Sequence, residues 1–228
     1  MYSELERHSL VWLTAAGWEA ALASARPEHA AALAQWQRND WPAVVRRFDA
    51  SPKAADAADA ADAAASDICL GVPLPPDAAG VKVRIALRVA PSHVARASAA
   101  LELRSALMAA DPWHDGLAAL SDAVPTLRVF GSLAMQTLTG LQYLSPSSDV
   151  DLLFHPDSRR QLDTVISLLA RHSEHLPLDG EVVFPGGVAV SWKEWLAAIT
   201  HPAKVLVKEL RTVRLADTAS LLVTLEAA

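Results

Sequence analysis

Ser148-Asp149-Val150-Asp151-Leu152-Leu153-Phe154 is the segment that most restricts what this chain can fold into. It reads as a strand with an apolar second half. Side chains alternate across a strand, so residues two apart point the same way, with α-carbons roughly 6 to 7 Å apart. Asp149 and Asp151 therefore present both carboxylates from one face. Two-metal sites that clamp an in-line phosphoryl displacement hold their ions about 3.5 to 4 Å apart, a gap that such a pair bridges from one rigid strand. The pattern points to phosphoryl or nucleotidyl transfer, with Asp149 and Asp151 as metal ligands.

The residues upstream suit the same chemistry. Thr126-Leu127-Arg128-Val129-Phe130 reads as a short buried strand, and Leu133 to Thr139 as a short helix closed by Gly140, a residue favoured just past helix ends. Gly131-Ser132 then occupies a strand-to-helix turn. Glycine lets a phosphate approach the backbone closely, and the helix-start N–H groups and the serine hydroxyl donate to phosphate oxygens. Each half has a plain alternative: Gly-Ser before a helix is often only a cap, and an isolated Asp-x-Asp often only a surface pair. The order strand, Gly-Ser, helix, loop, Asp-x-Asp strand weighs against both.

Gly131-Ser132, a short helix and Ser148-Asp149-Val150-Asp151-Leu152 resemble the signature of the DNA polymerase beta-type nucleotidyltransferases. A narrower resemblance is closer. The runs Gly131 to Leu141, Tyr143-Leu144, Ser148 to Leu153, Trp41-Pro42-Ala43-Val44-Val45-Arg46-Arg47 and Leu70-Gly71-Val72-Pro73-Leu74-Pro75-Pro76 are similar to the phosphoribosyl-dephospho-CoA transferases of malonate decarboxylase, also called its holo-acyl-carrier-protein synthases. The likeness runs from Arg7 to Leu215. It implies transfer of the phosphoribosyl-dephospho-CoA unit from 2′-(5″-triphosphoribosyl)-3′-dephospho-CoA to a serine of the decarboxylase's acyl-carrier subunit, with release of pyrophosphate. It also implies Mg²⁺, as two ions, on Asp149 and Asp151. Other readings are another small nucleotidyltransferase, which adenylylates a protein or small molecule, and a non-catalytic nucleotide-binding module. The four residues Gly131, Ser132, Asp149 and Asp151 weigh against the module, and the Trp-Pro-x-Val-Val-Arg-Arg run against the adenylylating enzymes.

Polymerase-beta-like sites usually need a third carboxylate from a neighbouring strand. Leu176 to Phe184 is the candidate strand, following a helix read from about Asp157 to His172. Asp179 and Glu181 again stand two apart, so one face can carry both. Each is a candidate for the third ligand or for the base that takes the serine proton. Asp179-Gly180 reads equally well as a turn, which would leave Asp179 a structural residue. Pro185-Gly186-Gly187 turns the chain into Val188-Ala189-Val190-Ser191, a hairpin.

The 228 residues, 52% apolar, suffice for two modest domains or one large one. No run approaches the roughly 18 to 20 apolar residues of a membrane span, and the start lacks a leader pattern, so the expectation is a soluble cytoplasmic protein. Cys69 is the single cysteine, which excludes an intrachain disulfide and a Cys-cluster metal site. A formal charge of −6 argues against a surface that coats nucleic acid. The eight histidines show no metal-ligand spacing.

The expected fold class is α+β: a small amino-terminal α+β domain over 1–90, the substrate-binding part, then a polymerase-beta-like nucleotidyltransferase domain over 91–228. Leu10 to Arg38 reads as two helices broken at Pro27, Trp41 to Phe48 as a strand, and Val81 to Val89, alternating apolar with mostly basic residues, as a half-buried antiparallel strand. Pro91 to about Ala109 reads as a helix, and Pro112 to Ala123 as another. Ala54 to Ala65 repeats with period three, which matches no packed face, so the stretch at about 50–66 reads as a surface insertion.

Arg46 and Arg47 are candidates for the substrate's phosphates, since a planar guanidinium binds phosphate bidentately. Neighbours on a strand face opposite ways, so one cleft receives only one of them, and surface charges flanking a core strand are an equal reading. Lys208, Lys204 and Lys193 are weaker phosphate candidates, since surface lysines are common. The seven tryptophans read mainly as core, with one available to stack on adenine.

Overall fold

The computed structural model describes residues 5–48, 67–201 and 203–226. The insertion at about 50–66 lies outside the described residues. The chain divides into two compact units, one ending at Ala99 and the other beginning at Ala100. Each is a sheet with helices, in keeping with the expected α+β class.

The first unit is built on strands β1 (Leu10–Leu13), β2 (Ala43–Val45), β3 (Ile68–Pro73), β4 (Arg84–Val89) and β5 (Val94–Ser98). They form an antiparallel sheet in the order β4-β3-β2-β1-β5. Strand β4 alternates exposed and buried residues along its whole length, the pattern of a half-buried sheet. Val11, Leu13, Ala43, Val45, Leu70, Val72, Ile85, Leu87 and Val89 form its buried set. Helices α1 (Ala15–Ser24) and α2 (Pro27–Arg38) bury Trp18, Ala21, Leu33 and Trp36. Thr14 caps α1 by accepting from the Gly17 amide, and Pro27 opens α2 where a missing N–H is harmless.

Two helical expectations are corrected here. Leu10 to Leu13 is a strand, because four consecutive apolar residues suit a short buried strand as well as a helix. The helix expected over 91–109 is helical only at its end, in α3 (Leu103–Ala106) and a 3-10 turn at Leu107–Ala109; before them come a turn at Pro91–His93, β5 and a two-residue strand β6 (Leu101–Glu102). Its alanines favour a helix, but pairing with the edge of β1 wins. There Arg96 stacks 4.4 Å from the centre of the Trp12 ring and meets Asp40 at 2.7 Å. As β5 belongs to the first sheet, that unit reaches Ala99, beyond the expected boundary at residue 90.

The second unit adds α4 (His114–Ala123), β7 (Arg128–Phe130), α5 (Gly131–Thr139), β8 (Val150–Phe154), α6 (Arg159–His172), β9 (Leu178–Phe184) and β10 (Val188–Ser191). It ends with α7 (Trp192–Thr200), β11 (Lys204–Lys208), β12 (Val213–Asp217) and α8 (Thr218–Glu226). The sheet order is β12-β11-β10-β9-β8-β7-β6; only β8 and β9 pair in parallel, joined by the crossover helix α6. That helix buries Leu162, Val165, Ile166 and Leu169, one stripe at helical spacing. Each is worth about 1.5 to 3 kcal/mol when fully buried. Ser158 caps it by accepting from the Gln161 amide at 3.2 Å, and Gln161 Oε1 in return accepts from the Asp157 amide at 2.8 Å.

All six helices of this unit contribute to one core, which takes Leu152, Phe154, Val182, Phe184, Val190, Val205 and Val207 from the sheet. The opposite face carries only a small cluster of Ala100, Leu153, Val183 and Ala189 with Phe130 packed on it. The carboxylates rise from this second face. Among the described residues no helix is long and apolar enough to cross a membrane.

Candidate active site

Strand register creates the site. Phe130 stands opposite Asp151, and Asp151 opposite Asp179, so one row crosses β7, β8 and β9. The next row places Leu153 beside Glu181. Asp151, Asp179 and Glu181 therefore share a face, and Asp149 sits exposed one residue before β8. Neighbouring strands lie about 4.8 Å apart, and like charges directly opposite one another are destabilising. A pair such as Asp151 and Asp179 is a natural place for a cation. Asp179-Gly180 is not a turn: both residues lie inside β9, and Asp179 Oδ1 accepts from the Gly180 amide at 2.8 Å.

Two glycines make this packing attainable. Gly131 opens α5 with φ +67°, and a Cβ there would overlap the Asp151 carboxylate. Gly180, at φ +132°, lies so close to β8 that a Cβ would run into the Leu152 backbone. The sequence offers Gly180 only as a turn residue, since close approach of two strands distant in sequence leaves no local signal.

Gln136 also went unread. From α5 its Oε1 accepts from the Tyr143 and Leu144 amides, both at 3.0 Å, while its Nε2 donates to Ala109 O. Ser148, buried, accepts from the Ser145 amide at 3.0 Å. These bonds fix the loop that delivers Asp149. Burial pushes the Tyr143 phenol above its ordinary pKa, against the opposing effect of a Thr139 hydrogen bond, so it stays neutral at physiological pH.

Ser132 lies buried in the first turn of α5, beside Gly131, and the side chain of the N-cap residue Phe130 makes no capping bond. Lys208 ends β11 and its Nζ donates to Glu181 Oε1 at 3.1 Å; Glu181 is 6% exposed. Lys204 and Lys193 are exposed. Arg46 and Arg47 belong to the first unit. Arg46 is half-buried and donates through Nε to Leu70 O at 3.1 Å, while Arg47 is exposed; both follow β2, which is shorter than the strand expected over Trp41 to Phe48. Arg84 packs over Gly71 beside Arg46, and Arg88 stacks 4.8 Å from the centre of the Phe48 ring. Their alternation in the sequence was the signal for a basic face on that sheet. Cys69 is buried.

Residues 6–100 match the family model described as phosphoribosyl-dephospho-CoA transferase MdcG N-terminal domain, and residues 98–219 its C-terminal domain. The chain belongs to the phosphoribosyl-dephospho-CoA transferase MdcG family. The two matches meet where the two compact units divide. A phosphoribosyl-dephospho-CoA transferase of Xanthomonas campestris pv. campestris (strain 8004) is 39% identical over 197 residues, 83% of this chain and 84% of the relative. One from Bradyrhizobium diazoefficiens is 38% identical over 222 residues, 92% and 89% of the respective chains. One from Xanthomonas euvesicatoria pv. vesicatoria (strain 85-10) is 37% identical over 224 residues, 94% and 95%. No solved structure matches. The family resemblance read from runs between Arg7 and Leu215 thus holds for both units.

The turn after Lys208 is held by charge. Glu209 accepts from the Thr212 hydroxyl at 2.6 Å and from Arg214 Nε at 3.0 Å. The Thr212 bond, more than Arg214, holds its carboxyl below the ordinary glutamate range. A carboxylate depressed in the folded state adds stability above its unfolded pKa, about 4.3, and loses it as pH falls through the lower folded value. The Glu209 amide, bonded to Thr212 O, should therefore lose hydrogen-exchange protection as pH falls below the ordinary glutamate range, and Thr212→Ala should shift that loss upward. Protection that is flat from about pH 5 to 3, or indifferent to Thr212→Ala, contradicts this.

Proposed function

We propose that the chain transfers the phosphoribosyl-dephospho-CoA unit of 2′-(5″-triphosphoribosyl)-3′-dephospho-CoA to a serine of the malonate decarboxylase acyl-carrier subunit. The serine oxygen attacks the α-phosphorus in line, the bond from that phosphorus to the bridging oxygen breaks, and pyrophosphate leaves. The observation that carries the reading is the register of Asp151 with Asp179, with Gly131 against the Asp151 carboxylate. It aligns two carboxylates beside a helix start suited to phosphate.

The residues suit Mg²⁺. All the nearby donors are carboxylate oxygens, the ligands of a hard cation. Among the described residues no three His, Cys, Asp or Glu side chains form a ready metal group. Mg²⁺ usually takes one or two carboxylates and completes its shell with substrate phosphate and water. Asp149 and Asp151 would hold it, beside Asp179, and when bound it would neutralise charge on the triphosphate. Gly131 and Ser132 meet phosphate oxygens through backbone N–H groups and the hydroxyl. Asp179, half-buried and lining the site face, is the base we assign to the serine proton. Arg46 and Arg47 remain candidates for the phosphates of the dephospho-CoA body.

The test is to incubate the protein with the carrier subunit, the triphosphoribosyl precursor and Mg²⁺, then weigh the intact carrier. The expected result is one phosphoribosyl-dephospho-CoA added per carrier, matched by one pyrophosphate. An adenylylated carrier formed from ATP, with the precursor inert, would replace this reading with general nucleotidyl transfer.

A further inference from the structure

Glu181 is a charged residue inside an otherwise closely buried strand. It stands two positions from Asp179, on the face that carries the carboxylates. An ionised carboxylate at 6% exposure needs a partner, and Lys208 supplies one from two strands away. The intervening strand β10 makes this reach possible. It places Ala189 beside Lys208 and Ser191 beside Glu181, two small side chains across a backbone gap of about 10 Å. The lysine crosses over them toward the site.

Neutralising Glu181 does not use up Lys208. An ammonium has three N–H donors, one of which goes to Glu181 Oε1, and the lysine side chain keeps 35% of its exposure. Glu181, by contrast, has little room to meet an incoming hydroxyl, and its Oε1 already accepts the ammonium. Arg128, on the same face, gives one guanidinium N–H to Ala100 O at 2.6 Å.

We propose that Lys208, steered by Glu181, receives the terminal phosphates of the triphosphate and holds pyrophosphate as it leaves. Glu181 is then a positioning residue that acts through Lys208, neither base nor metal ligand. This rests on the transfer reading above for the identity of the triphosphate, but pyrophosphate is the leaving group of any nucleotidyl transfer.

The test is calorimetric titration of pyrophosphate, with Mg²⁺, into the wild-type protein, Lys208→Ala, Lys208→Arg, Glu181→Gln, and the double variant Lys208→Ala/Glu181→Gln. Losing a charge-assisted bond to phosphate should weaken pyrophosphate binding by about ten- to a hundredfold in Lys208→Ala. The double variant, which leaves no unpaired buried charge, should match it, and it carries the test if Lys208→Ala fails to fold. Lys208→Arg should restore most of the affinity. Glu181→Gln should give a smaller loss, and in transfer assays KM for the precursor should rise more than kcat falls. Two outcomes overturn the proposal: a folded double variant that binds pyrophosphate like wild type, or a Glu181→Gln variant that loses kcat with pyrophosphate affinity unchanged. Binding needs neither carrier nor precursor, so a wild-type protein that failed to load the carrier would sink the transfer reading and leave this one standing.

Discussion

Asp151→Asn is expected to lower carrier loading by at least about a thousandfold, while the variant folds as well as the wild type or slightly better. The two effects share one cause. Asp151 faces Asp179 in register, so removing one charge relieves repulsion in the metal-free protein and removes the ligand that charge stabilisation requires. Intact-mass measurement of the carrier reads the first effect, and a urea midpoint in metal-free buffer reads the second. A folded Asp151→Asn that loads the carrier at wild-type rate would remove the metal assignment.

Gly180→Ala should cost at least about 3 kcal/mol and break the site with the fold. At a compatible position, glycine to alanine stabilises by about 0.4 to 1 kcal/mol through the unfolded chain. Here the φ of +132° and the nearby Leu152 backbone reverse the sign, because β8 and β9 must move apart to admit a methyl group. Gly140→Ala is the control. Its φ is +70°, but nothing lies within 4 Å of the added carbon, so only backbone strain of about 1 to 2 kcal/mol is expected. Equal losses in the two variants, measured by chemical denaturation, would show that the close strand approach does not matter.

Local chemistry made much of this legible. The strand at Asp151, the helix after Gly131 and its stop at Gly140 rest on alternation, caps and a positive φ, all of which lie within a few residues in sequence. The Ser158 start of α6 is equally local. What stayed hidden depends on distant partners. Alanines at 95 and 97 read as helix until the edge of β1 is known to pair with them. Lys204 to Lys208 and Val213 to Asp217 were not read as strands, although they pair as a hairpin whose charge then reaches Glu181. The sequence placed Asp179 and Glu181 on one face, but the neighbour of each follows from the register with β8. That register separates the paired Asp179 from the lysine-bound Glu181.

The parallel pairing of β8 and β9 also bears on the order in which the molecule forms. Asp151 and Asp179 are 28 residues apart and meet only after α6 has been laid down between them. Contacts of this kind must first meet the entropy of closing a long loop, and parallel pairing is slow for that reason. The hairpins of this unit, such as β9 with β10, close over far shorter stretches. A partly folded chain can therefore hold its hairpins and still lack the charge cluster, which comes into being only as the crossover docks.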